Sequence, residues 1–174
     1  MRDFLVVLRP FAERDLWLFD RFAAEPSLSE PFSWTGFRSA EGFRRRWGVD
    51  GFLGESPHFL AVSVGDAEVV GWVTWRENPR PGPGVWEIGV LIAPEFRRRG
   101  AATQAQRLLV DYLFATTTAH RIWAGTEVEN VGEQTALERS GFRREGVLRG
   151  AHFRDGGWRD SVIFGVLRDD IAEG

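Results

Sequence analysis

The feature that most constrains the fold is a run of small and basic residues between two patterned segments. Residues 86–92 form an apolar, strand-like run, and apolar residues recur at helical spacing after Gly100. Between them, Arg97, Gly100 and Ala102 fall at the spacing Arg-x-x-Gly-x-Ala. Small residues let backbone N–H groups converge, and the positive end of the following helix adds to them. The run predicts a site for a phosphate-like anion, or else a plain strand-to-helix turn with solvated arginines.

The order of the patterned segments predicts a mixed α+β fold. Alternating and helical patterns, separated by Gly and Pro, give the order β-α-α-β-β-β-α-β-α-β-β. A strand–helix–strand unit around the helix after Gly100 implies one parallel strand pair in an otherwise antiparallel sheet. The length of 174 residues and the lack of a linker predict a single domain over residues 1–174. The predicted strands are 4–8, 59–64, 69–75, 86–92, 121–128, 142–153 and 158–167, and the helices are 12–23, one capped by Ser39, one after Gly100, and 133–140.

Composition excludes several kinds of chemistry. Every one of the 22 basic residues is arginine and the chain has no cysteine, which excludes a Schiff-base lysine, a thiolate metal site and an acyl-cysteine intermediate. His58, His120 and His152 lie in separate elements, so no metal site is expected. A net charge of −3 disfavours nucleic acid as a partner. No apolar run approaches the roughly 20 residues of a membrane span, and none resembles a signal peptide, so a cytoplasmic protein without a membrane partner is expected.

Two segments carry a family resemblance. Residues 86–114 resemble the acetyl-CoA site of the GCN5-related N-acetyltransferases (GNAT); their sequence is WEIGVLIAPEFRRRGAATQAQRLLVDYLF. Their ribosomal-protein branch, the RimJ/RimL type, resembles residues 129–167, whose matching positions are Asn130, Glu138, Gly141, Phe142, Glu145, Gly146 and Asp160. The resemblance implies the GNAT fold: a mixed, mostly antiparallel seven-stranded sheet with one splayed parallel pair, flanked by about four helices.

The resemblance also implies acetyl-CoA as co-substrate and names the residues that would hold it. Asn130 matches a residue that contacts pantetheine, although its spacing from Glu133 equally suits a helix capping box. In that box Glu133 is expected to reach back to the Asn130 backbone N–H and to stay ionised. Backbone contacts to the pantetheine arm are expected from Val90, Leu91 and Ile92, and contacts to the pyrophosphate from Arg97, Arg98, Arg99, Gly100, Ala101 and Ala102.

Glu87 is the candidate general base. An attacking amine must lose a proton, and a carboxylate near the splayed strands can accept it. The alternative is that Glu87 only pairs with a neighbouring arginine, and three further carboxylates compete for the role: Glu77, Glu127 and Glu129. The positions that relatives use for the general acid, which reprotonates coenzyme A, differ in this chain. Relatives carry a tyrosine where this chain has Leu137, and the RimJ/RimL branch often has a serine where it has Glu133.

These observations together predict an acetyl-CoA-dependent N-acetyltransferase in which a primary amine attacks the thioester directly, within a ternary complex. The acceptor is expected between residues 25–37 and the final hairpin, with Phe32, Trp34 and Trp158 as aromatic walls. Its identity stays open between a protein N-terminus and a small amine such as an antibiotic, and a longer acyl group such as succinyl is also open. The rival hypothesis is a non-catalytic acyl-CoA-binding module, motivated by the missing acid. A homodimer is compatible with either hypothesis.

Overall fold

Seven strands and five α-helices make up the part of the chain that the structure, a computed structural model, describes: residues 5–34, 36–65, 68–78 and 82–172. The strands are β1 (Val6–Arg9), β2 (His58–Val64), β3 (Glu68–Glu77), β4 (Val85–Ile92), β5 (Arg121–Glu127), β6 (Arg143–Arg154) and β7 (Gly157–Leu167). The helices are α1 (Trp17–Ala24), α2 (Ala40–Asp50), α3 (Ala101–Thr116), α4 (Val131–Arg139) and α5 (Arg168–Ala172).

The strands form one sheet in the order β1-β2-β3-β4-β5-β7-β6. Every neighbouring pair is antiparallel except β4 and β5, which are joined through α3 and run parallel. Residues 85–87 of β4 pair with residues 121–123 of β5, and beyond these positions the two strands separate. The predicted α+β fold, with seven strands and one splayed parallel pair, is therefore confirmed.

Each face of the sheet is covered by its own helices. Ile88 and Ile92 of β4 pack with α3 and α4 residues such as Leu109 and Leu137 in one hydrophobic cluster. On the opposite face, Leu91 packs in a second cluster with α1 and α2 residues. Because side chains alternate along a strand, β4 contributes to both clusters and forms the boundary between two possible binding regions.

The boundaries of several elements differ from the predicted ones. Residues 13–15 form a 3₁₀ turn ahead of α1, because the Asp15 carboxylate accepts hydrogen bonds from the Ala12 N–H (2.8 Å) and from Arg9. Ser39 stands at the N-cap of α2, but its side chain makes no capping hydrogen bond. The short helix α5 was not predicted. Phe4 of the first predicted strand and Asp66 of the predicted hairpin turn lie outside the described residues.

Candidate functional site

A cleft of about 400 Å³ lies beside the end of β4, on the side from which β5 has separated. Residues 29–33 form one wall, the first turn of α3 forms the floor, and the first turns of α4 close the far side. Most of the residues predicted to hold the cofactor line this cleft: Val90, Leu91, Ile92, Arg97, Arg98, Gly100, Ala101, Ala102 and Asn130. Arg99 is not part of the lining.

The backbone of β4 offers hydrogen-bonding groups to the cleft at Val90. The Val85 carbonyl accepts from Asn78 N–H (2.7 Å), and Ala93 N–H donates to the Val70 carbonyl (2.8 Å), so odd-numbered residues of β4 direct their backbone groups toward β3. Because this direction alternates along a strand, Val90 directs its N–H and C=O into the gap, where no described strand pairs with β4. The backbone groups of Leu91 face β3, so the contact that Leu91 is predicted to make with the cofactor would come from its side chain, which lines the cleft.

The turn at Gly100 forms the floor of the cleft. Gly100 is the N-cap of α3 and has a left-handed backbone (φ +80°), a conformation that costs most other residues about 1–2 kcal/mol. The first helical bond of α3 runs from Gln104 N–H to the Gly100 carbonyl (3.0 Å), so the N–H groups of residues 101–103 have no partner within the helix. These donors line the cleft at the positive end of α3, an arrangement that suits an anion.

The three arginines of the motif have different environments. The Arg97 guanidinium donates from Nε to the Ile92 carbonyl (2.8 Å) and from Nη2 to the Leu28 carbonyl (2.5 Å). It therefore holds residues 26–28 against the end of β4, and the predicted contact of Arg97 with the pyrophosphate stays a prediction, since Arg97 also lines the cleft. Burial lowers the pKa of Arg97 from its ordinary value. Arg98 is exposed at the cleft, and the Arg99 guanidinium lies 5.9 Å from the centre of the Phe96 ring.

Asn130 caps α4, but the second half of the predicted capping box is absent. The Asn130 side-chain oxygen accepts from Glu133 N–H (3.3 Å), while Asn130 N–H donates to the Glu127 carbonyl (2.9 Å) and not to Glu133. The Glu133 carboxyl instead accepts from Nε2 of Gln106, a side chain of α3 that is only 1% exposed. The Ser140 hydroxyl lies 3.1 Å from Oε1 of Gln106, but also 2.7 Å from the Ala136 carbonyl and 3.1 Å from the Thr103 carbonyl, so its one proton has three acceptors within reach.

Burial changes the chemistry of Glu133. Desolvation raises the pKa of its carboxyl from 4.5 to about 7, against the opposing hydrogen bond from Gln106. The expectation that Glu133 stays ionised is therefore wrong: near neutral pH the carboxyl is divided between its two protonation states. Only one other carboxylate, the exposed Glu30, belongs to the described lining of the cleft. No local pattern in the sequence predicts the raised pKa of Glu133, because its partner Gln106 is 27 positions away.

Glu87 does not line the cleft. It is the last residue of β4 that pairs with β5. Its carboxylate accepts from Arg76 Nε (2.8 Å), the pairing that the sequence left as the alternative. Of the competing carboxylates, Glu77 accepts from Gly84 N–H (3.3 Å) and the buried Glu127 is bound by Arg154 through two nitrogens. Glu129 is exposed beside the same arginine. None of these competitors belongs to the described lining either.

A second cavity of about 290 Å³ lies on the α1–α2 face of β4 and shares Ser29, Ser33 and Leu91 with the cleft. Trp34 lines this second cavity and Phe32 lines the cleft, where the Arg154 guanidinium lies 5.4 Å from the Phe32 ring centre. The assignment of Trp158 to the acceptor wall is not supported. Trp158 is 68% exposed, packs against Phe153 on the final hairpin, and lines neither cavity.

Comparison with known proteins gives the family. Residues 6–143 match the family model described as the acetyltransferase (GNAT) domain. The chain belongs to the GNAT acetyltransferase family. It is 32% identical over 116 residues to a probable N-acetyltransferase, YjcK, of Bacillus subtilis, an alignment that covers 67% of this chain. The chain spans 64% of the length of YjcK and about half of two further Bacillus subtilis relatives, 52% and 46%.

Solved structures share the fold of this GNAT domain. Mycobacterium smegmatis RimJ in complex with CoA-disulfide is 26% identical, with a TM-score of 0.79 over 95% of this chain and 83% of that one. Spermidine N-acetyltransferase from Vibrio cholerae, in complex with CoA and spermine, is 20% identical, with a TM-score of 0.82 over 96% and 98%. Among the described residues, no three His, Cys, Asp or Glu side chains group as metal ligands, and no helix is long and apolar enough to cross a membrane.

Proposed function

We propose that the protein is an acetyl-CoA-dependent N-acetyltransferase that modifies a primary amine by direct attack in a ternary complex. The observation that carries the proposal is the Gly100 turn, which exposes three helix N–H groups at the floor of a cleft bordered by the splayed strand β4. The match of residues 129–167 to the RimJ/RimL branch, together with the fold shared with RimJ, supports placing the chain in that branch.

The cleft suits acetyl-CoA on three counts. Its N–H donors at residues 101–103 and the exposed Arg98 provide for the pyrophosphate. The backbone groups of Val90 provide for the amide-bearing pantetheine arm, in the way that a neighbouring strand would. Acetyl-CoA supplies an acyl group activated as a thioester. A backbone N–H donor in this region would polarise the thioester carbonyl and stabilise the transition state by about 3 kcal/mol.

Glu87 is our candidate for the base on the acceptor side of the sheet. It lies opposite Arg76 and diagonal to Thr74, which lines the second cavity. Diagonal neighbours across two strands are about 7–8 Å apart, which is within reach of a long side chain such as that of Glu87. Since an alkyl ammonium has a pKa near 10.4, Glu87 would take up the proton that the amine must lose before attack.

Glu133 is our candidate for the acid on the cofactor side. Its carboxyl lies in the cleft and carries a proton in a large fraction of molecules at neutral pH. In this assignment Glu133 gives that proton to the departing thiolate and recovers one from solvent. The two proton transfers then take place on opposite faces of β4.

Release of free CoA thiol from acetyl-CoA, measured with a panel of primary amines, tests the function. Gly100→Val is expected to weaken acetyl-CoA binding, because the left-handed backbone at Gly100 strains a β-branched residue. The nearest protein atom to an added Cβ is Gln104 Nε2 at 3.8 Å, so the new side chain would not clash with the protein itself. Gly141→Val is the matched control, since Gly141 also has a positive φ (+95°) but lies outside the cleft lining. Equal acetyl-CoA affinity in the two folded variants would contradict the site.

A further inference from the structure

The second cavity identifies the class of acceptor. We infer that the acceptor is a small primary amine carrying a compact aromatic or branched apolar group, which the second cavity holds while the amine faces the cleft. The inference rests on the proposed acetyl transfer and narrows its substrate.

Aromatic rings dominate the wall of this cavity. Phe19 and Phe43 are stacked with ring centres 4.5 Å apart, and Trp72 packs against Phe19 (5.0 Å) and Phe22 (4.9 Å). Phe59 and Trp34 add two further rings to the lining. Such a wall gains most from a ligand group that is itself apolar, because binding then removes apolar surface from water on both sides.

The charge of the cavity excludes a polycation as its best occupant. No aspartate or glutamate is among the described residues that line it, and its one charged lining residue is Arg38. A linear polyamine keeps two or more ammonium groups, and burying an ammonium without a carboxylate partner is costly. The volume of about 290 Å³ is also at the low end for small-molecule sites, which favours a compact group over an extended chain.

The position of the cavity relative to the cleft supplies the geometry for transfer. Ser29, Ser33 and Leu91 line both the cleft and the second cavity, so the two spaces adjoin at these residues. Gly89, two positions before Leu91 on the same face, carries no side chain, and an added Cβ there would lie 2.9 Å from Thr74 Oγ1. An amine whose apolar group fills the cavity therefore reaches the β4 edge with its nitrogen next to the Val90 region.

The test compares 2-phenylethylamine with 1,4-diaminobutane, which has a similar length but two cationic ends. Thiol release from acetyl-CoA is measured with each amine, and calorimetric titration of each amine into the protein saturated with CoA gives its affinity. We expect kcat/KM and affinity to be about tenfold or more higher for 2-phenylethylamine, the effect of burying one apolar side group. A peptide with a free N-terminal alanine is the third amine.

Trp34→Ala probes the wall at low cost to folding, because Trp34 lies in a loop and is half-buried. It should lower kcat/KM for 2-phenylethylamine by about tenfold and lower that for 1,4-diaminobutane by a smaller factor. Trp17→Ala, the same change at an exposed position on α1 outside both linings, should alter neither.

The outcomes separate this inference from the proposed function. A preference for 1,4-diaminobutane or for the peptide, with efficient thiol release, overturns the acceptor class while the acetyltransferase stands. If no amine supports thiol release, the proposed function fails, and the titration still decides the acceptor class. Equal or weaker binding of 2-phenylethylamine than of the diamine then overturns it.

Discussion

Replacing Glu133 by glutamine is expected to stabilise the protein above neutral pH. Raising the pKa of this carboxyl from 4.5 to about 7 means that its ionised form is disfavoured by burial in the folded state. At about 1.4 kcal/mol per pKa unit, ionising it in the folded protein costs about 3 kcal/mol. An amide at this position has nothing to ionise, and its oxygen can still accept the Nε2–H of Gln106.

The sign of the pH dependence follows from linkage. Between pH 4.5 and 7 the unfolded chain has lost the Glu133 proton and the folded chain has kept it. The contribution of the carboxyl to stability is therefore complete below pH 4.5 and is lost progressively as the pH rises through about 7. The variant lacks this loss, so its advantage over the parent should grow by about 2–3 kcal/mol between pH 5 and pH 8.

Urea unfolding of parent and variant at both pH values measures this difference. Glu138→Gln is the control, because Glu138 is exposed on the same helix and should change the free energy of unfolding equally at pH 5 and pH 8. If the change in the free energy of unfolding caused by Glu133→Gln does not depend on pH, the reasoning is refuted. Such a result would mean that folding does not raise the pKa of this carboxyl. In the same variant, thiol release should fall by about 10²-fold, the lower end for general acid–base catalysis, because a thiol with a pKa near 8.5 is a tolerable leaving group.

Two further changes test the remaining assignments. Glu87→Gln should lower turnover by about 10²-fold or more without changing acetyl-CoA affinity, since only proton removal is lost; Glu68→Gln, on exposed β3 surface, is the control, and an unchanged rate would move the base elsewhere. Arg97→Lys keeps the charge but not the two diverging N–H donors that reach the Ile92 and Leu28 carbonyls, so it should lower the free energy of unfolding by about 2 kcal/mol. Arg45→Lys, on the exposed side of α2, should not, and full stability of the Arg97 variant would return that guanidinium to an anion-binding role.

The sequence was sufficient for the parts of the fold that depend on local pattern. Strand periodicity, the glycines at the ends of helices and the strand–helix–strand unit around Gly100 depend on residues near one another in the chain, and they gave the sheet with its one parallel pair. The sequence was weaker wherever the partner is distant. Arg97 was assigned to an anion because its carbonyl partner at Leu28, 69 positions away, belongs to a loop with no strong pattern.

Glu133 shows the same limit in the site itself. Its spacing from Asn130 is that of a capping box, and half of the box forms. The hydrogen bond from the Asn130 N–H to the Glu133 carboxyl does not form. Instead α3 and α4 pack closely enough to bury the carboxyl and to place Gln106 Nε2 as its donor. A local motif predicted the position of the helix correctly, while tertiary packing determined the protonation state of the residue.

The proposed mechanism needs a base on one side of β4 and an acid on the other, and the two candidate carboxyl groups have different environments. The Glu87 carboxylate, our candidate base, accepts hydrogen bonds from Arg76 at a partly exposed strand position. The Glu133 carboxyl, our candidate acid, is bound among the described residues by the neutral amide of Gln106, and burial raises its pKa to about 7. An arginine introduced beside Glu133, for example by Gln106→Arg, would lower the pKa of its carboxyl, and with it the fraction of molecules able to protonate a departing thiolate.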